Sequence, residues 1–231
     1  MREAIVLAGG FGTRLRELVP DLPKPMAPVA GRPFLEILLS FLGARGFERV
    51  VLSLGFMADK VAGHFGDAFG ALQLKYVVES QALGTGGGVR LAMTACASDH
   101  VFVFNGDTFL DLEVDAVEAA WASTRSIIIV GREVEDTARY GRLVVKDGRV
   151  RGFTEKGVSG PGFINAGCYI FPREALDAFE AGRAFSLEKD FLEAAVNHMR
   201  VDAFLTKGDF IDIGVPEDYL LAQKKLAGRY L

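Results

Sequence analysis

Lys24 stands between two prolines, ten residues after Arg14, and Arg14 closes the run Leu7-Ala8-Gly9-Gly10-Phe11-Gly12-Thr13. Three glycines behind an apolar stretch, Ala4 to Ala8, let main-chain N–H groups approach an anion closely. Arg14 offers a planar fork of donors and Lys24 a compact ammonium, and together they suit a polyphosphate. A glycine loop alone is also what a tight turn with two surface cations looks like. Pro23 and Pro25 add weight, because they restrict the backbone and predict that Lys24 is presented on a stiff, extended segment. Two common phosphate-loop patterns are excluded. A Walker loop needs Gly-Lys-Ser/Thr where this chain has Thr13-Arg14, and a dinucleotide fingerprint needs glycine where it has Leu15.

Two aspartates carry the next chemistry. Asp107 follows the apolar run Val101-Phe102-Val103-Phe104 in the sequence Asn105-Gly106-Asp107, and Asp212 closes Phe210-Ile211 just before Gly214. A carboxylate at a strand mouth suits Mg²⁺, which binds through one or two carboxylates plus substrate phosphates. An Asx turn would put aspartate in the same place.

These groups need a frame. Strands are expected at Glu3–Ala8, Arg49–Leu54, Leu74–Glu79, Val101–Asn105 and Ile127–Gly131, with amphipathic helices at Pro33–Arg45, Met57–Phe65, Thr85–Ala95 and Val114–Ser123. That alternation predicts an α/β protein with a doubly wound, mostly parallel, Rossmann-like sheet. Ligands of such sheets bind beyond the carboxyl ends of the strands. The glycine loop, Glu79 and Asp107 all fall at that edge. After residue 139 the rhythm changes: Tyr140 to Glu155 reads as a hairpin turning at Asp147-Gly148, Asn165–Phe171 as a strand, and Pro172 as the first residue of a helix. Further helices are expected at Leu187–His198 and Glu217–Leu226. This second half predicts a mixed or antiparallel extension of the sheet.

With 231 residues, half of them hydrophobic, and no linker-like stretch, the expectation is one domain over 1–231. Its nucleotide-binding part would be about 1–135 and its acceptor-covering part about 136–231. A net charge of −4 with interspersed signs gives no electrostatic case for nucleic acid or a membrane surface. Cys96 and Cys168 read as reduced core residues, and the three histidines show no metal-ligand spacing. No signal peptide and no apolar stretch of about 20 residues is found, so the location is expected to be cytoplasmic. Trp121 and most of the 18 phenylalanines fall at core periodicity.

The string GG-x-GTR-L with P-K-P resembles the entry motif of the sugar-1-phosphate nucleotidyltransferase family. The resemblance continues at Glu79 to Gly88 (ESQALGTGGG), Asn105-Gly106-Asp107, Glu155-Lys156, Asn165-Ala166-Gly167 and Asp212-Ile213-Gly214, covering nearly the whole chain. GTGGG after an acidic residue and NGDTFLDL look most like the branch that joins GTP to a heptose 1-phosphate. The resemblance implies transfer of a nucleotidyl group to a sugar 1-phosphate with release of pyrophosphate, assisted by Mg²⁺ on Asp107 and Asp212. Arg14, Lys24 and Asp107 become the catalytic set. Leu7, Ala8, Gly9, Gly10, Gly12, Thr13, Glu79, Gly84, Thr85 and Gly106 become nucleotide contacts, and Tyr140, Gly141, Glu155, Lys156, Asn165 and Gly167 sugar-phosphate contacts.

Glu79 leans the base towards guanine, whose N1–H and N2–H₂ can both donate to one carboxylate. Mannose 1-phosphate with GTP, or another sugar phosphate with UTP or dTTP, remains an alternative, and so does a non-catalytic sensor of sugar nucleotides. The expected partners are therefore a nucleoside triphosphate, with GTP favoured, and a sugar 1-phosphate; the oligomeric state stays open.

Overall fold

The computed structural model describes residues 1–10, 15 and 18–228. The first half runs β1 (Glu3–Leu7), a ribbon of β2 (Pro28–Val29) and β3 (Arg32–Pro33), α1 (Phe34–Ala44), β4 (Arg49–Leu54), α2 (Ala58–Phe65), β5 (Ala68–Phe69), β6 (Leu72–Val78), α3 (Gly84–Met93), β7 (His100–Asn105), β8 (Thr108–Leu110), α4 (Val114–Thr124) and β9 (Ile127–Val134). The second half adds β10 (Leu143–Lys146), β11 (Arg149–Phe153), β12 (Gly162–Pro172), a π-helical turn at Leu187–Leu192 leading into α5 (Glu193–His198), β13 (Val201–Thr206), β14 (Phe210–Asp212) and α6 (Pro216–Lys225).

Ten strands form one sheet in the order β10-β11-β13-β9-β12-β7-β1-β4-β6-β5. β7, β1, β4 and β6 are mutually parallel, as are β9 and β13, while β12 runs antiparallel between β7 and β9. β1 shows why helices cover both faces. Its side chains alternate, with Ala4 and Val6 joining one core together with Phe34, Leu38 and Val117, and Ile5 joining the other with Val89 and Ala92. A strand buried on both faces reads as an unbroken apolar run, as β1 and β7 do.

Glu3 interrupts that pattern at the start of β1. It is 1% exposed, and its carboxylate accepts from the Ala97 N–H at 2.8 Å, from the Ser98 N–H, and from Arg49 at 3.1 Å. Burial pushes this carboxyl up, yet the two N–H groups more than offset it, and its pKa lies below the usual glutamate value.

Pro172 does not open a helix. It ends β12 opposite His100, and the Arg173 N–H is taken by the Asp99 carbonyl at 3.0 Å, holding the chain to the sheet as it leaves. The residues that follow make four-residue turns, with Ala175 N–H bonding to Pro172, Asp177 N–H to Glu174 and Phe179 N–H to Leu176. Leu187–His198 is helical, with its first six residues in π geometry. Among the described residues no helix is long and apolar enough to cross a membrane.

Candidate active site

The carboxyl ends of β1, β4, β6 and β7 open on a cavity of about 510 Å³. Leu7, Ala8, Gly9 and Gly10 line one side of it, and Gly106 and Asp107 line the floor. Backbone packs on backbone here. The Gly106 N–H donates to the Leu7 carbonyl at 2.9 Å, and a Cβ at Gly106 would lie 2.5 Å from that oxygen. Gly9 faces Gly55 in the same way, since a Cβ on Gly55 would come within 2.9 Å of the Gly9 carbonyl oxygen. Among the described residues nothing comes within 4 Å of a Cβ placed on Gly10. Glycine is thus required for the close backbone approach at 55 and 106. Gly12, Thr13 and Arg14 lie outside the described residues.

Lys24 also lines the cavity, but not from an extended segment. It begins a 3₁₀ turn, Lys24–Met26, in which the Met26 N–H bonds to the Pro23 carbonyl at 2.8 Å and the Ala27 N–H to Lys24 at 3.0 Å. Pro25 fits such a turn because its missing N–H falls at a position that needs no partner. The lysine side chain is 14% exposed and its ammonium is ion-paired to Asp107.

The two aspartates, far apart in sequence, are set side by side by a two-stranded ribbon. β14 pairs antiparallel with β8, placing Asp212 opposite Thr108, and the Ile213 N–H reaches the Asp107 carbonyl at 2.9 Å. Asp212 accepts from the Gly214 N–H at 2.7 Å. Burial, then the neighbouring Asp107 charge, raises its pKa, while Lys24 pulls the other way. Gly214 leaves the gap that brings these groups together: a Cβ there would lie 2.7 Å from Asp212 Oδ1 and 3.1 Å from Lys24 Nζ. Two carboxylates against one ammonium leave net negative charge held by oxygen donors alone, which fits a hard divalent cation. No group of three or more potential metal ligands occurs among the described residues.

Glu79, one residue beyond β6, lines the opposite wall. Its carboxylate accepts from the Leu83 N–H at 3.0 Å and from Ser53 at 3.3 Å, which holds it in place while leaving lone pairs free. Gly88 makes the room: a Cβ there would lie 2.8 Å from Glu79 Oε1. Gly84 (φ +70°) and Thr85 start α3 at the cavity edge.

The residues expected to meet the acceptor come from a bulge in β12 and two loops. Asn165-Ala166-Gly167 forms an irregularity in β12, where pairing with β9 shifts between Asn165 and Tyr169, and such bulges re-aim side chains. Gly167 (φ +69°) packs against Asn105, a cavity residue. Tyr140 stacks edge-on against Phe210, on the strand that carries Asp212. Gly141 (φ +76°) abuts the backbone of 154–156, so the Tyr140-Gly141 and Glu155-Lys156 loops touch. Glu155 and Lys156 are exposed, and none of Tyr140, Gly141, Glu155, Lys156, Asn165, Gly167 and Asp212 lines the cavity itself.

Several lining residues went unread in the sequence. Asn105 had a signal, since it sits in the Asn-Gly-Asp run. Ser80 to Ala82 lay within the run Glu79 to Gly88 without being assigned a role, and Gly55 and Phe56 had no signal, because nothing local says that the β4 exit meets Gly9.

A doubly wound sheet whose strand ends gather a glycine loop, a lysine and two facing aspartates defines an α/β nucleotide-handling fold. The chain belongs to the nucleotidyl transferase family, whose model matches residues 3–229. It is 35% identical to the D-glycero-alpha-D-manno-heptose 1-phosphate guanylyltransferase of Aneurinibacillus thermoaerophilus, over 97% of this chain and 98% of that one. The protein of the same name from Campylobacter jejuni is 34% identical, covering 94% and 96%. The crystal structure of HddC from Yersinia pseudotuberculosis complexed with GMP-PN superposes with a TM-score of 0.87 at 36% identity, covering 98% and 100%.

Proposed function

We propose that this chain transfers GMP from GTP to a sugar 1-phosphate, with D-glycero-α-D-manno-heptose 1-phosphate as the acceptor, and that it does so in the cytoplasm. The observation that carries the reading is the ion pair of Lys24 and Asp107 in a cavity walled by Gly9, Gly10 and Glu79, with Asp212 set beside Asp107 across the β8–β14 ribbon. Relatives that cover the chain nearly end to end and are named for this reaction support the choice of base and sugar.

In this reading an oxygen of the acceptor phosphate bonds to the α-phosphorus of GTP, the bond to pyrophosphate breaks, and no outside oxidant or reductant is involved. Charge rather than covalent chemistry is the main obstacle, so position and electrostatics do most of the catalysis. Asp107 and Asp212 would hold Mg²⁺, which when bound neutralises phosphate oxygens. Lys24 leaves Asp107 to meet the α-phosphate, and Arg14 with the 9–13 backbone receives the departing pyrophosphate. Glu79 accepts from guanine, while Tyr140, Gly141, Glu155, Lys156, Asn165 and Gly167 close over the sugar phosphate.

The test is purified protein against GTP, UTP, dTTP and ATP with a panel of sugar 1-phosphates, scored by pyrophosphate release. Activity with GTP and the heptose phosphate above all other pairs is expected. Activity confined to another triphosphate would remove the guanine assignment, and release with none would remove the catalytic reading.

A further inference from the structure

Glu188 lies in the π-helical turn, outside every motif singled out in the sequence. Its carboxylate collects hydroxyl donors from three elements: Thr85 at 3.0 Å and Ser186 at 3.3 Å on Oε2, and Tyr169 at 3.3 Å on Oε1. No cation pairs with it among the described residues. It is half-buried, and the side-chain donors that reach it are all hydroxyls.

Those donors fall into two kinds. Thr85 and Ser186 anchor the turn: the Leu187 N–H donates to Thr85 Oγ1 at 2.9 Å and the Lys189 N–H to Ser186 Oγ at 3.2 Å. Tyr169 leads elsewhere. It is fully buried, and its hydroxyl accepts from Asn165 Nδ2 at 2.7 Å. Asn165 Oδ1 in turn accepts from the Gly167 N–H at 3.1 Å, and Gly167 packs on Asn105 at the cavity floor.

The chain has a direction. An ionised carboxylate can only accept, so Tyr169 must donate to Glu188, and Asn165 must then offer its amine to Tyr169 and its oxygen to Gly167. Burial first, and then the Glu188 charge, raises the Tyr169 pKa, which keeps that hydroxyl protonated and donating. One N–H and one lone pair of the Asn165 amide remain for a ligand, a pair that matches adjacent sugar hydroxyls.

We propose that Glu188 is a positioning residue for the acceptor sugar, fixing through Tyr169 which way the Asn165 amide faces. The proposal rests on the sugar-1-phosphate guanylyltransferase reading. A glutamine at 188 could donate to Tyr169, let the tyrosine donate to Asn165, and turn the amide over. Gly167 would then lose its acceptor and the sugar would meet the wrong end of the amide.

Steady-state kinetics on wild type, Glu188→Gln, Tyr169→Phe and the double variant test it. The KM for the sugar 1-phosphate should rise about tenfold in each single variant, while the KM for GTP moves less than about twofold. Because both act on one chain, the double variant should be no worse than the worse single. Tyr169→Phe keeps the ring packing and carries the test should Glu188→Gln fail to fold. Equal rises in both KM values, an unmoved sugar KM, or additive effects would overturn the role of Glu188 while leaving the function standing. A wild type inactive on every sugar 1-phosphate overturns the function and this role with it.

Discussion

Lys24 and Asp107, 83 positions apart in the chain, form an ion pair at the cavity floor, with the lysine side chain 14% exposed and the aspartate 35%. The lysine sits where two facing carboxylates would otherwise repel, since Asp212 lies across the ribbon from the neighbour of Asp107. A divalent ion can take over that balancing role and free the ammonium for a phosphate. In the proposed reaction the pair would therefore link phosphate binding to metal binding through one carboxylate.

Asp107→Ala and Asp212→Asn should each lower turnover by at least ~10²–10³, the scale of one preorganised charge stabiliser. Both should keep a cooperative thermal unfolding transition, because neither side chain belongs to the hydrophobic cores. Mn²⁺ titration followed by electron paramagnetic resonance should show weakened metal binding in both. Chelation of the wild type with EDTA should stop turnover and excess Mg²⁺ restore it. An alanine variant with more than about a tenth of the wild-type rate would remove Asp107 from the metal site.

Lys24→Ala should reduce kcat more than it raises the KM for GTP, because its charge is used where phosphate charge shifts during transfer. Lys24→Arg should not restore the rate, since a planar fork replaces a compact ammonium inside a tight 3₁₀ turn. Single-turnover rates separate chemistry from product release. A change confined to KM would mean that lysine binds ground state and transition state alike.

The strand ends, Gly9-Gly10 and the place of Asp107 at a strand mouth were legible because β1 and β7 are apolar runs stopped by glycine, and periodicity with breakers marks such positions. Asp212 was readable as a strand end, but its partner β8 is a three-residue strand that only the tertiary fold reveals. The Lys24 turn was misread because two prolines suggest an extended chain, whereas backbone bonds to Pro23 and Lys24 close a 3₁₀ turn. Pro172 was misread because a helix-start signal was outweighed by pairing between the end of β12 and β7. Glu188 had no local signal at all, since its donors come from residues 85, 169 and 186.

Glu79→Gln should shift the GTP-to-UTP ratio of kcat/KM by about 1–3 kcal/mol, the scale of one bidentate base contact. The amide places a donor where guanine also donates. Gly88→Ala should act on the same preference from behind, because its Cβ would stand 2.8 Å from Glu79 Oε1 and force the carboxylate aside. Unchanged selectivity in both variants would mean that Glu79 only caps the turn before α3.

Glu3 sets an acid limit on stability. Its folded pKa lies below its unfolded value, so the stabilisation is present above the unfolded value near 4.5 and is lost as pH falls through the folded one. Glu3→Gln should therefore lower stability at neutral pH by about 1–3 kcal/mol, leaving buried donors poorly paired. It should also flatten the fall in Tm between neutral and acid pH. Calorimetry of both proteins across that range checks it, and parallel Tm curves would contradict the assignment.

The most direct measurement puts GTP and UTP together in one tube at equal concentration with D-glycero-α-D-manno-heptose 1-phosphate and Mg²⁺, and identifies the product by mass spectrometry. The account predicts GDP-heptose formed in step with pyrophosphate, with the UDP sugar a minor species. A predominant UDP sugar, or pyrophosphate release without any sugar nucleotide, would contradict it.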